Sequence, residues 1–160
     1  MPIDLLAIVR AVHVLVVTFW IGGIFYITFI LHPAIIRAAP PEGRHKLFKA
    51  MHHPFGKLTR WWIALVGLTG LYMLHEMDMW ERFLDPHSWY LHLMVLVWGF
   101  EAFMRFVYGP LHMHPRNEGW AETKPDAVFA GMVMRQRCIG LVSIPAILAA
   151  IMGAHGYLPF

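Results

Sequence analysis

The sequence predicts an all-α integral membrane protein, a bundle of four transmembrane helices with its N- and C-termini on the outer, periplasmic side. Three observations point there. The chain is 58% hydrophobic and only 14% charged, where a soluble domain carries about 25% charged residues. Its apolar residues gather into four runs, each near the roughly 20 residues that cross a bilayer as a helix. Its loops differ in charge in a way that fixes an orientation. At 160 residues the chain is one domain, without a linker, a low-complexity tract or an obvious internal repeat. The single Cys138 excludes an internal disulfide and any Cys-rich metal or iron–sulfur site. A net charge of +3 is ordinary for a membrane protein with basic loops and gives no support to a nucleic-acid partner.

The first span is expected over about 5–31. Its charges, Asp4 and Arg10, stand at the start, and Pro33 with the AAPPEG turn closes it. The opening MPID lacks the basic stretch of a secretory signal, and no small-residue cleavage site follows, so this run is expected to stay as a helix. The basic segment RHKLFKAMHHPFGKLTR reads as part amphipathic helix. The second span covers about 61–79, with Gly67 and Gly70 as small residues that let helices approach closely. The acidic loop HEMDMWERFLDPH leads to a third span at about 89–108, ended by Gly109-Pro110. After a polar loop, AVFAGMVMRQR reads as an interfacial helix or an extension of the last span, about 138–157, where Pro145 predicts a kink.

Orientation follows from charge. The segment from Arg37 to Arg60 holds six Lys/Arg and one acid, and that from Arg105 to Arg137 holds five and three. Between them, His75 to Ser88 holds one Arg and four acids. The positive-inside rule places the first and third loops in the cytoplasm and the second loop and both ends outside. Trp61 and Trp62 at one edge, Trp80 and Trp89 at the other, fit interfacial belts.

Each span carries one histidine in its outer half. At 1.5 Å per residue, His13 lies roughly 28 Å above the cytoplasmic end of its span, His75 roughly 22 Å, His92 roughly 20 Å and His155 roughly 27 Å. An ionisable ring inside a span is costly and marks a functional site by default. Singly, His75, His92 and His155 also read as interfacial residues touching water. Together the four suit a cofactor in a bundle core. Structural zinc recruits cysteine, which this chain nearly lacks. Haem b needs one or two axial nitrogens and an apolar slot beside small residues. His92, Gly99, Phe103 and Phe106 share one helical face, and His13, Val17, Trp20 and Ile24 share another. Gly99 and Trp20 thereby join the candidate site, and the aromatics equally suit core packing. His13 with His92 is the preferred pair of iron ligands, His75 with His155 the alternative, and one or two haems fit the count.

His52-His53 near Met51, and His112-Met113-His114, form two further clusters. Methionine with histidine suits copper, and solvated loop residues are the plainer reading. Glu101, the one carboxylate inside a span, precedes Arg105 by four residues. That spacing fits a helix-surface ion pair near the interface, with a proton relay as the sharper alternative.

The run containing His13, Val17, Trp20, Gly22 and Gly23 resembles the first helix of a superfamily of small four-helix membrane proteins that includes HemJ and the CopD-like copper-resistance domains. The likeness continues in Phe55-Gly56-Lys57-Leu58, Leu68-Thr69-Gly70 and Trp89-Tyr90-Leu91-His92. The resemblance implies a multi-pass protein of a bacterial inner membrane with a functional histidine on its first helix and, as in HemJ, bound haem b. Met94 stands where HemJ proteins typically carry lysine, which favours a haem-binding relative outside the strict family. The expected function is a membrane b-type haem protein that transfers electrons or runs a haem-dependent redox reaction. Its expected partners are the lipid bilayer, a quinone or a membrane redox protein, and a second copy of the chain. A HemJ-like protoporphyrinogen oxidase and a CopD-like copper protein are the alternatives.

Overall fold

The computed structural model describes residues 4–155 and Tyr157. Among them every regular element is helical. Four long helices form the bundle: α1 (Leu5–Ala38), α2 (Pro41–Glu76), α3 (Pro86–Thr123) and α4 (Pro125–Ala154). Three of them, α1, α3 and α4, are long and apolar enough to cross a membrane. The chain is thus an all-helical membrane protein. The expected second span lies in α2, whose apolar stretch is bounded by Arg60 on one side and by His75 and Glu76 on the other, and which falls short of that measure.

Helix α1 starts at Asp4, whose carboxylate accepts from Leu6 N–H at 3.0 Å and satisfies one of the free donors of the first turn. It runs past Pro33 without a break. Immediately before that proline, Ile27–Leu31 adopts π-helical turns, and the His32 N–H reaches the Ile27 carbonyl five residues back. Proline clashes with the carbonyl four residues before it, and the wider register relieves that clash. The same device corrects the expected end of the third span. Gly109-Pro110 does not stop α3: Met104–Met113 is π-helical, His114 N–H bonds to the Gly109 carbonyl, and the helix continues to Thr123. The segments expected as loops between spans are therefore largely helical extensions. The AVFAGMVMRQR stretch belongs to α4, which also carries Pro145 without interruption. A left-handed Asp78 (φ 49°) ends α2 and turns the chain into the 3₁₀ segments Trp80–Leu84 and Pro86–Ser88.

Packing divides into three layers. The middle layer joins Val16, Trp20, Ile21 and Ile24 of α1 to Ile63 and Val66 of α2 and Ile139 of α4. One end is built from Ile27, Leu31, Ile35, Phe48, Phe129 and Val133, the other from Tyr90, Leu91 and Ala149. Glycines set the contacts. A Cβ on Gly67 would enter the Trp98 ring, one on Gly23 the Phe55 ring, and one on Gly153 the Tyr90 ring. Outward faces carry Phe29, Leu68, Leu96 and Leu141, each about two-thirds exposed. Apolar surface on that scale suits a lipid environment, since water-facing proteins keep such patches small.

Candidate functional site

His13 sits half-buried on the seam between α1 and α2, its ring over Gly70, where a Cβ would lie 3.4 Å from Cε1. Its Nδ1 is 2.8 Å from the Thr69 hydroxyl oxygen. That hydroxyl is itself 2.6 Å from the Leu65 carbonyl. A carbonyl only accepts, so the Thr69 proton is directed to Leu65 and the Thr69 oxygen accepts from His13 Nδ1–H. The neutral ring then has its lone pair on Nε2. A histidine whose Nδ1–H is held by a neighbour is oriented and set in the tautomer that binds metal through Nε2. Thr69 was quoted in the sequence only as part of a short motif. Its lone hydroxyl inside an apolar run was the available signal.

The other three histidines lie at the same end of the bundle. His155 caps α4 and directs Nδ1 at the Ile151 carbonyl at 2.8 Å, which again leaves Nε2 to bind. His92 is exposed, with Nδ1 3.2 Å from the Ser88 carbonyl and Nε2 3.0 Å from the Phe83 carbonyl, and its ring meets Phe83 edge-on. A neutral ring carries one N–H and can donate to only one of these. His75 is exposed in the last turn of α2. No group of three or more histidine, cysteine or acidic side chains poised for a metal ion occurs among the described residues.

Trp20 is buried in the middle layer at 3% exposure, with an indole N–H that finds no acceptor. The face of Gly99, Phe103 and Phe106, expected to line an interior slot, points outward. A Cβ on Gly99 would meet nothing within 4 Å, and both phenylalanines are about half exposed. Rotation about the helix axis decides this, and hydropathy cannot supply it in a helix apolar on every side.

The opposite end holds His32, which the sequence did not single out, together with His52 and Glu101, which it did. His32 is buried at 1% exposure among Phe48 and Phe129, and neither ring nitrogen has a partner. His52 stacks on Phe48 at 4.8 Å and lies beside Phe55. Burial, reinforced by the charges of Arg105, Arg135, His32 and His53, pushes its imidazole down to about 3. It is thus no solvated loop residue, whereas His53, His112 and His114 are exposed. Glu101 corrects the surface-pair expectation. It is 2% exposed, its Oε2 lies 3.8 Å from Arg105 Nε, and its Oε1 is unpartnered. A groove of about 470 Å³ lined by Ile36, Arg44, Phe129, Val133 and Arg137 opens at this end, away from the four outer histidines.

The family model described as "Domain of unknown function (DUF4149)" matches residues 15–120, well over half of the chain. The chain belongs to that family. No curated protein and no solved structure matches it.

Proposed function

We propose that this DUF4149 member is a four-span membrane protein that binds haem b through His13 and acts in electron transfer or a haem-dependent redox reaction. In this reading α2 crosses the bilayer together with α1, α3 and α4, and both chain ends lie outside. The loop charges support that orientation, six Lys/Arg against one acid in one cytoplasmic segment and five against three in the other. Leu68 and Leu71, exposed on α2, support its contact with lipid.

The observation that carries the haem reading is the Thr69 hydroxyl at 2.8 Å from His13 Nδ1, which sets the Nε2 lone pair of a half-buried imidazole. His13 fits an axial ligand on that ground. His155, exposed at the end of α4 with Nδ1 on the Ile151 carbonyl of its own helix, is the candidate for a second. His92, the partner preferred from the sequence, has to give up the Phe83 carbonyl to serve. When bound, haem supplies a one-electron couple tuned by its axial ligands and by the polarity around it. The chain's own contribution is to orient the ligand, through the Thr69 hydroxyl that fixes the His13 ring. The outward Gly99, Phe103 and Phe106 face is then available to a quinone, a redox partner or a second copy.

The same lone pair serves copper, the alternative ion. One preparation separates the two. The absorption spectrum and metal content of the purified chain are measured after growth with added haem precursor. A Soret band with a sharp reduced α-band is the expected result. Stoichiometric copper without that band transfers the reading to copper handling, and colourless, metal-free protein ends both.

A further inference from the structure

Among the described residues one carboxylate is kept from water. Glu101 of α3 is 2% exposed and lies about 10 Å inside the cytoplasmic end of the span expected at 89–108. We propose that Glu101 is a proton-carrying group, loaded from the cytoplasmic face by way of His52. An ionisable side chain at this depth is expensive and is kept for a function or a partner. Its close partner holds it loosely. Glu101 Oε2 is 3.8 Å from Arg105 Nε, beyond hydrogen-bond length. Glu101 Oε1 and Arg105 Nε are both buried and make no hydrogen bond. A pair kept only to fix the helix would seat the carboxylate on the guanidinium fork, and a buried pair repays its desolvation only when such bonds are made. Here the carboxyl group keeps a free oxygen for a proton.

Polar groups lead to Glu101 from one side only. Arg105 Nη1 lies 3.6 Å from the point a Cβ on Gly56 would take, and His52 Cε1 lies 3.4 Å from the same point. Guanidinium and imidazole thus meet over one glycine of α2. His52 is half-buried, next to the exposed His53. It shares the Phe48 ring with His32 of α1, whose two ring nitrogens are buried without partners. A neutral imidazole accepts a proton at one ring nitrogen and releases one from the other, which suits His52 to pass a proton inward. The further charges felt at Arg105 are those of Arg60 on α2, exposed, and Arg135 on α4, half-buried. The next acid along α3, Glu118, is bonded to Lys49 at 2.6 Å. Toward the outer face the neighbours of Glu101 on α3 are apolar, and Val97, Trp98 and Ala102 pack into the middle layer. The step is a simple one. A proton from cytoplasmic water adds to Glu101 Oε1, the carboxylate becomes the neutral acid, and Arg105 keeps its charge. The proposal stands whichever ion His13 holds.

The test is infrared difference spectroscopy of the full chain in phosphatidylcholine nanodiscs, stepped through pH in H₂O and in D₂O. Wild type should show a carboxylic C=O band that grows as pH falls. That band should lie above the bands of the solvated acids in frequency, because Oε1 has no donor, and Glu101→Gln should lack it. Arg105→Gln should move its titration to higher pH by about one unit or more, and stays informative where Glu101→Gln fails to fold. On transfer to D₂O the band should shift, and His52→Phe should slow that exchange by about tenfold or more, since a positioned acid–base group speeds proton transfer by about 10²–10⁴. Coincident spectra of wild type and Glu101→Gln at every pH where both stay folded overturn the proposal. So does an exchange rate that is the same in His52→Phe as in wild type.

Discussion

Replacing Thr69 by Val should loosen His13 without changing the shape of the seam. Valine keeps the volume of threonine and removes the hydroxyl, so little cavity forms. The loss is the 2.8 Å bond between α1 and α2. A hydrogen bond contributes about 1 kcal/mol net, and a donor left unsatisfied in a buried setting costs about 1–3 kcal/mol. Thr69 is 8% exposed and His13 half-buried, so destabilisation in the lower part of that range, about 1–2 kcal/mol, is expected. The ring should also lose its single tautomer. With ¹⁵N-labelled histidine, NMR of the wild-type protein at neutral pH should show His13 protonated at Nδ1 and bare at Nε2. Thr69→Val should show a mixture, and Thr69→Ser should restore the wild-type pattern. Loss of the partner that orients a metal-binding histidine costs about 10- to 100-fold in affinity, so haem retention should fall correspondingly. A Thr69→Val protein that melts with wild type and keeps one Nδ1–H tautomer would refute the reasoning.

Three further outcomes follow from other parts of the bundle. Gly67→Ala should destabilise by about 1–3 kcal/mol through overpacking, because the new methyl enters the Trp98 ring, whose indole N–H is fixed to the Ile63 carbonyl at 2.8 Å. Thermal melting reads it, and an unchanged midpoint counts against the close approach. His52, held at about 3 in the fold, takes up its proton in the unfolded chain near 6.5. The unfolded state therefore binds more protons between those values, and stability should fall as pH drops from about 6.5 toward 3, by up to about 1.4 kcal/mol per pH unit. His52→Phe, which keeps the stack on Phe48, should flatten that slope in phosphate-free buffer, and an identical slope in the variant assigns it elsewhere. In a Cys138→Ser background, Leu84→Cys, 87% exposed between α2 and α3, should react with an impermeant maleimide on intact cells. Arg37→Cys should react only after permeabilisation, and the reverse pattern inverts the orientation.

Helix existence was legible in the sequence because apolar runs need only length and hydropathy. Helix ends were not. Gly109-Pro110 is ordinarily a terminator, yet a change to π register lets α3 absorb it, and Pro33 in α1 is absorbed in the same way. Only the backbone hydrogen bonds reveal that. Gly67 was legible as a small residue for close packing, and Trp98 fills the space it leaves. At the candidate site His13 stood out because an imidazole is conspicuous in an apolar run. Its partner Thr69 did not, because threonine satisfies itself on its own helix backbone and so is unremarkable in a span. The outward turn of Gly99 and the approach of Arg105 to Gly56 depend on helix rotation and on contacts between helices far apart in sequence. Spacing along one helix says nothing about either.

The role of His13 is tested most directly by titrating haem into the purified wild-type chain and into His13→Ala, with the Soret band as the readout. Wild type should bind with a sharp, saturable band, and His13→Ala should lose that band or shift it while still folding as judged by its far-ultraviolet circular dichroism. Identical spectra and affinities in the two proteins would contradict the assignment of His13 as a haem ligand.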